Sequence, residues 1–176
     1  VVEGQIGSGS TVLTLGTGGV SLFALQVARM HGARVCITSS SEQKLERARA
    51  LGASEGIVYT ADSDWGRTAR RWAGSGVDVV VELGGAGTLD QSLRAVRTGG
   101  TVALIGVLAG AKTSLALTSV LMRHVRVQGV FVGSVRDLAD LVACYRAHPD
   151  QRPVVDRVFE LAELPQALQW MAAGRH

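Results

Sequence analysis

With 176 residues, 47% hydrophobic and 19% charged side chains and 22 glycines, the chain is long enough to form one well-packed domain and too short for two ordinary ones, and its composition excludes a disordered polypeptide. The formal charge of +3 arises from Lys and Arg scattered among acids, and aromatics make up only 5%, so no basic stripe with interleaved rings marks a nucleic-acid face. No apolar run approaches the roughly 18 residues of a membrane span, and Val1-Val2-Glu3-Gly4 does not open a signal peptide, so a soluble, cytoplasmic chain is expected.

Residues 1–10 read as a connecting segment. From there, short Val- and Ile-rich runs alternate with segments of helical period. Strands are predicted at 11–15, 34–38, 56–59, 77–82, 101–107 and 125–132. Helices are predicted at 20–31, 41–51, 65–72 and 88–96, near Val120, and at 136–147 and 165–173. Such alternation implies parallel strands joined by right-handed crossovers. The expected fold is therefore α/β, a doubly wound, six-stranded parallel sheet of Rossmann type, order 3-2-1-4-5-6, with helices on both faces, occupying residues 11–176. In the first helix the period turns Leu22, Leu25 and Met30 inward and leaves Gln26 and Arg29 on a polar edge, with Gly32 as a left-handed terminator.

Gly16, Gly84, Gly106 and Gly133 follow four separate strands, on the edge where ligands approach the backbone of open parallel sheets. The first of these opens Gly16-Thr17-Gly18-Gly19-Val20-Ser21, between the first strand and its helix. Glycine at the turn and in its middle, followed by the positive end of a helix, is a cradle for a diphosphate. Ser21 stands where a third glycine would pack helix against strand, a weaker fit to the pattern.

About 20 residues further on, an NAD-binding domain offers an acid to the ribose hydroxyls. Here the second strand ends Thr38-Ser39-Ser40-Ser41, without a carboxylate. Ser39 and Ser40 can donate to a ribose 2′-phosphate and Lys44 can neutralise it, which favours NADP(H) over NAD(H). Ser39-Ser40-Ser41-Glu42 also matches a helix-capping box, in which Glu42 reaches back to a helix-end amide.

Cys36 and Cys144 lie far apart, and His31, His124, His148 and His176 show no ligand spacing, so neither a disulfide nor a metal site, zinc included, is expected on this chain. Tyr59 and Tyr145 are followed four residues later by Ser63 and Pro149 rather than by lysine, and Gly7-Ser8-Gly9-Ser10 precedes a strand instead of following one. No catalytic residue is nominated.

The runs TVLTLGTGGVSLFALQVARMHGARVCITSSSEQKLERARALGA and VDVVVELGGAGTLDQSLRAVRTGGTVALIGVL resemble the cofactor domain of medium-chain dehydrogenase/reductases, especially the zinc-independent, quinone-reductase-like and alcohol-dehydrogenase-like members. The resemblance implies hydride transfer between NADPH and an alcohol or carbonyl, a quinone or an enone. It implies Gly16 to Val20, above all Gly18, Gly19 and Val20, at the pyrophosphate; Ser39, Ser40 and Lys44 at the adenosine phosphate; and Tyr59 at the adenine. It further implies Leu83 and Gly84 at the nicotinamide ribose, and Ile105, Gly106, Val107 and Phe131 near the ring. A strand-end tyrosine such as Tyr59 also serves as a core edge. In that family a GroES-like domain supplies most of the substrate pocket; its absence here implies a cofactor half that is inactive alone, and the strand 125–132 is an expected homodimer edge. The alternatives are a stand-alone dinucleotide-binding module without catalysis and, less favoured, an S-adenosylmethionine-dependent methyltransferase.

Overall fold

The strands form because blocks such as Thr11-Val12-Leu13-Thr14 and Val77-Asp78-Val79-Val80-Val81-Glu82 are rich in β-branched residues, with consecutive apolar side chains that face both sides, the pattern of a sheet covered on each side. The computed structural model describes residues 3–174. The start of the connecting segment (Val1, Val2), the last two residues (Arg175, His176) and the reading of His176 as no metal ligand lie outside the described residues.

The elements run β1 (Thr11–Thr14), α1 (Gly19–Met30), β2 (Arg34–Ser39), α2 (Glu42–Ala50), β3 (Glu55–Val58), α3 (Trp65–Trp72) and β4 (Val77–Glu82). There follow α4 (Leu89–Ala95), β5 (Val96–Leu104), α5 (Leu117–Leu121), β6 (Arg126–Gly129), α6 (Val135–Ala147) and α7 (Leu164–Ala172). All strand pairs are parallel, in the order β3-β2-β1-β4-β5-β6, which is the expected Rossmann arrangement.

Alternate side chains along each strand feed two separate cores. Leu13, Cys36, Val80 and Val102 pack with Trp65, Ala69, Leu89 and Leu93 of α3 and α4. Val12, Val35, Ile37 and Val81 pack with Leu25, Ala28, Leu45 and Ala48 of α1 and α2. The reversal of strand order between β1 and β4 opens the crevice at their carboxyl ends, where ligands of this architecture bind.

At the opposite end Asp78 fastens β1 to β4. Its carboxylate accepts from the Thr11 amide at 2.7 Å, the Thr11 hydroxyl at 2.8 Å and Arg97 Nε at 2.6 Å. Burial opposes its ionisation, but the Arg97 and Thr11 bonds outweigh burial and hold its pKa below the usual carboxylate range.

Three expectations are corrected. Gln26 is 3% exposed, not on a polar edge: its Nε2 donates to the Arg152 carbonyl at 2.7 Å and its Oε1 accepts from the Tyr145 hydroxyl at 2.9 Å. α6 and the segment after it cover that side of α1, a packing that helical period alone does not reveal. β5 covers Val96–Leu104 rather than 101–107 because it stops where the Ile105 and Gly106 amides both turn to the Glu82 carbonyl, at 2.9 and 3.2 Å. β6 covers only Arg126–Gly129 of the expected 125–132, the Val130 amide adding one more bond to the Leu104 carbonyl. Gly32 does end α1 left-handed, at φ +77°, with its amide on the Arg29 carbonyl.

Candidate functional site

The turn after β1 is built to stay open. Gly16 has φ +73°, a conformation that L side chains rarely adopt, and a Cβ added at Gly16, Gly18 or Gly19 would meet nothing within 4 Å. Gly18 is the N-cap of α1 with extended backbone and no side-chain cap, and the first turn of the helix carries no acid. The amides of that turn lack helical partners and face the positive end of a twelve-residue dipole. The loop is pinned from behind, since the Gly16 amide donates to Thr38 Oγ1 at 3.1 Å and Ser21 Oγ donates to the Leu15 carbonyl at 2.6 Å. Ser21 is fully buried, so a small side chain with its own bond replaces the third glycine without pushing helix from strand.

Beside this turn lies a cleft of about 250 Å³ lined by Gly16, Thr17, Gly18, Ser39, Ser40, Lys44, Tyr59 and Gly174. The fold thus brings together seven of the residues singled out in the sequence. Ser40 and Tyr59 are exposed and Lys44 half-buried, whereas Ser39 is buried and accepts from the Ser41 amide at 3.3 Å. That bond uses an oxygen lone pair and not the hydroxyl proton. The alternative reading of Ser39 to Glu42 as a capping box is corrected: α2 begins at Glu42 with Ser41 as N-cap and no side-chain cap bond, and Glu42 instead pairs with Arg49 at 2.5 Å. Glu42 is one helical position, not three, past the cap, so its carboxylate does not reach back.

Leu83, Gly84, Ile105, Gly106 and Val107 sit on the two loops that follow β4 and β5. These loops are laced together: the Leu108 amide donates to the Leu83 carbonyl at 3.1 Å, Ala109 to Gly84 at 2.7 Å and Ala86 to Gly110 at 2.9 Å. Two of the four strand-exit glycines also serve packing within the protein. A Cβ at Gly106 would lie 2.6 Å from the Leu83 carbonyl oxygen on the neighbouring loop, and one at Gly84 would run into the Thr88 side chain within its own turn. Gly133 lies four residues beyond β6, beside Asp137. Of the four, only Gly16 opens onto free space.

Val20 and Ile105 face a second, more apolar recess of about 340 Å³ between α1, the sheet and the start of α6. Val107 is half exposed, and Phe131, at 94% exposure, lines neither recess. One polar residue went unnoticed in the sequence. Glu82, the last residue of β4, is fully buried. The available signal was an acid directly after the apolar run Val79-Val80-Val81, a position where burial demands partners.

Among the described residues, no three His, Cys, Asp or Glu side chains converge as a metal site would require, and no helix is long and apolar enough to cross a membrane. Cys36 is buried in β2, where burial and the nearby Glu55 push its thiol up to about 12.

Residues 19–146 match the family model described as zinc-binding dehydrogenase. The chain belongs to the zinc-binding dehydrogenase family. Its fold and glycine turn are those expected of the cofactor domain of medium-chain dehydrogenase/reductases. A zinc-type alcohol dehydrogenase-like protein of Schizosaccharomyces pombe is 42% identical over 99% of this chain and 51% of its own length. A solved NAD-dependent alcohol dehydrogenase is 32% identical over 99% of this chain and 51% of its own, with a TM-score of 0.89. A crotonyl-CoA carboxylase/reductase solved in complex with NADP is 25% identical over 98% of this chain and 49% of its own, with a TM-score of 0.87. This dehydrogenase-family chain therefore spans about half the length of the relatives it matches. Of these two solved relatives, one is described as NAD-dependent and the other is in complex with NADP.

Proposed function

We propose that this chain is the NADP(H)-holding half of an oxidoreductase that moves hydride between the nicotinamide and an alcohol or carbonyl, a quinone or an enone. The observation that carries the reading is the shared cleft: an unobstructed glycine turn at the head of α1 beside Ser39 and Ser40 at the end of β2 and Lys44 of α2, with no carboxylate among the lining residues. A diphosphate fits the bare amides and the helix dipole. A 2′-phosphate fits two hydroxyls and an ammonium, whereas an acid there would repel it.

Gly16, Thr17, Gly18, Gly19 and Val20 would hold the pyrophosphate, Ser39, Ser40 and Lys44 the 2′-phosphate, and Tyr59 the adenine side. Leu83 and Gly84 would meet the nicotinamide ribose, and Ile105, Gly106, Val107 and Phe131 the ring side. The bound nucleotide supplies the hydride chemistry. This chain's residues supply binding and orientation, which fix the reacting carbon relative to a small-molecule substrate. We assign no catalytic residue and no zinc ligand to this half. The relatives' remaining length is where we place the substrate side, a GroES-like domain, and we place the enzyme in the cytoplasm. Family membership displaces the methyltransferase alternative.

The test is titration of the chain with NADPH and NADH, followed by fluorescence or calorimetry. Wild type binds NADPH more tightly, and Lys44→Ala weakens NADPH about five- to tenfold while leaving NADH within about twofold, the size expected of one partly exposed charge-assisted contact. Unchanged NADPH affinity in Lys44→Ala removes the 2′-phosphate assignment, and no binding of either nucleotide removes the cofactor reading.

Among the described residues β6 is an edge strand, with β5 its one neighbour in the sheet, and Val127, Phe131 and Val132 are exposed on and just beyond it. An apolar strand edge invites pairing with another chain. We propose a homodimer through this edge. Sedimentation at micromolar concentration is expected to give twice the 18.4 kDa chain mass, and Val127→Lys the monomer; a wild-type monomer at that concentration ends the proposal.

A further inference from the structure

Glu82 is buried completely, yet none of the ion pairs among the described residues involves it. A buried carboxylate without a cation is strongly unfavourable unless hydrogen-bond donors surround it. Here four do. Oε1 accepts from the Gly84 amide at 2.8 Å, the Gly85 amide at 2.9 Å and the Thr88 hydroxyl, and Oε2 accepts from the Ser92 hydroxyl. Its main-chain carbonyl meanwhile takes the Ile105 and Gly106 amides.

One residue thus grips both loops at this end of the sheet. Its side chain draws the turn after β4 inward, its carbonyl bends the chain after β5, and the Leu83–Leu108 and Gly84–Ala109 bonds carry the position of the first loop to the second. The turn at Gly16 is fastened separately, by Thr38 and by the Ser21–Leu15 bond. The Gly16 turn and the loops after β4 and β5 therefore have separate supports.

We infer that Glu82 is a positioning residue for the nicotinamide half of the bound nucleotide, acting through the Gly84–Gly85 amides and the Thr88 hydroxyl rather than by touching the cofactor. The inference rests on the cofactor reading above. Without the carboxylate those amides must turn to other acceptors, the loops bearing Leu83, Gly84, Ile105, Gly106 and Val107 shift, and the phosphate cradle stays in place. A residue that served only global stability would weaken both halves alike.

The experiment compares the 176-residue chain with its Glu82→Leu, Glu82→Gln and Thr88→Val variants for binding of NADPH and of 2′,5′-ADP, which carries only the adenosine end. Glu82→Leu is expected to weaken NADPH roughly tenfold or more while 2′,5′-ADP stays within about twofold, as follows from stranding donors that bonded a charged group. Glu82→Gln, which keeps Oε1 as acceptor and lets the Ser92 hydroxyl turn round, recovers most of the loss. Thr88→Val, which removes one donor and leaves the carboxylate bonded, lowers NADPH binding in the same sense by roughly threefold. Hydrogen exchange at the Gly84 and Gly85 amides is expected to be fast in Glu82→Leu and slow in Glu82→Gln.

Equal losses for both ligands overturn the inference, as does a NADPH affinity unchanged in Glu82→Leu. Should Glu82→Leu not fold, Thr88→Val decides: an unchanged ratio of the two affinities overturns it. A wild-type chain that binds 2′,5′-ADP as tightly as NADPH ends the positioning role and leaves the phosphate assignment standing, whereas a wild-type chain that binds neither ends both.

Discussion

Gly18→Asp is expected to cut NADPH affinity at least about 100-fold and to leave the fold intact. The reason is that the position separates backbone demand from ligand demand. Gly18 has φ −77° and ψ 175°, extended values that any residue adopts, and an added side chain meets no neighbour. Aspartate is a better N-cap than glycine and its charge suits the helix dipole, so stability is expected to hold or to rise by about 0.5 kcal/mol. The same carboxylate would stand where the proposed diphosphate lies. Two unit charges 4 Å apart repel by about 4 kcal/mol at an effective dielectric constant near 20, so even half of that after screening exceeds a tenfold loss, and two phosphates double it. The check is a nucleotide titration paired with a thermal melt. A Gly18→Asp variant that melts like wild type and binds NADPH within threefold of it would show that the diphosphate does not lie on this turn.

Gly66→Ala is expected to destabilise the chain by about 1–3 kcal/mol, although alanine is the better helix former by nearly 1 kcal/mol. Gly66 is the second residue of α3, and its missing side chain lets α3 lie directly on α4. A Cβ there would run into the Gln91 main-chain carbonyl and come within 2.7 Å of Gln91 Oε1, which already accepts from the Gly66 amide at 2.9 Å. The carbonyl belongs to a helix and does not swing aside. α3 and α4 must then part, loosening Trp65, Ala69, Leu89 and Leu93 in one of the two cores. For a domain of this size the expected fall in Tm is about 2–4 °C per kcal/mol. Equal or higher stability would mean that the two helices pack less closely than the structure has them. No residue of α3 lines the cleft beside Gly16, so NADPH affinity at low temperature is expected to stay within about twofold.

Much of the fold and part of the candidate site were legible in particular residues. Val and Ile runs separated by helical period carried the six strands, because a sheet covered on both faces favours apolar and β-branched residues along its strands. Gly16 to Ser21, placed between a strand and a helix, and the acid-free Thr38 to Ser41 stretch carried the nucleotide reading. Period misassigned Gln26, since Tyr145 and Arg152, more than a hundred residues later, decide that its side of α1 is covered. Spacing misread Glu42, since the start of α2 fell later than a capping box needs. Composition passed over Glu82, because nothing local shows that Thr88 and Ser92 turn back on it.

The amino-acid order by itself determined the elements that depend on near neighbours: strands, helices, the left-handed glycine at the end of α1 and the open turn at its beginning. Propensity, period and capping act over a few residues and are therefore written in the chain. Tertiary structure alone decided which strand-exit glycines are filled by protein and which stay open, where β5 and β6 stop, and how a lone buried carboxylate is satisfied. Each of these depends on groups brought together from distant positions, and a close approach of two backbones leaves no local mark in either segment.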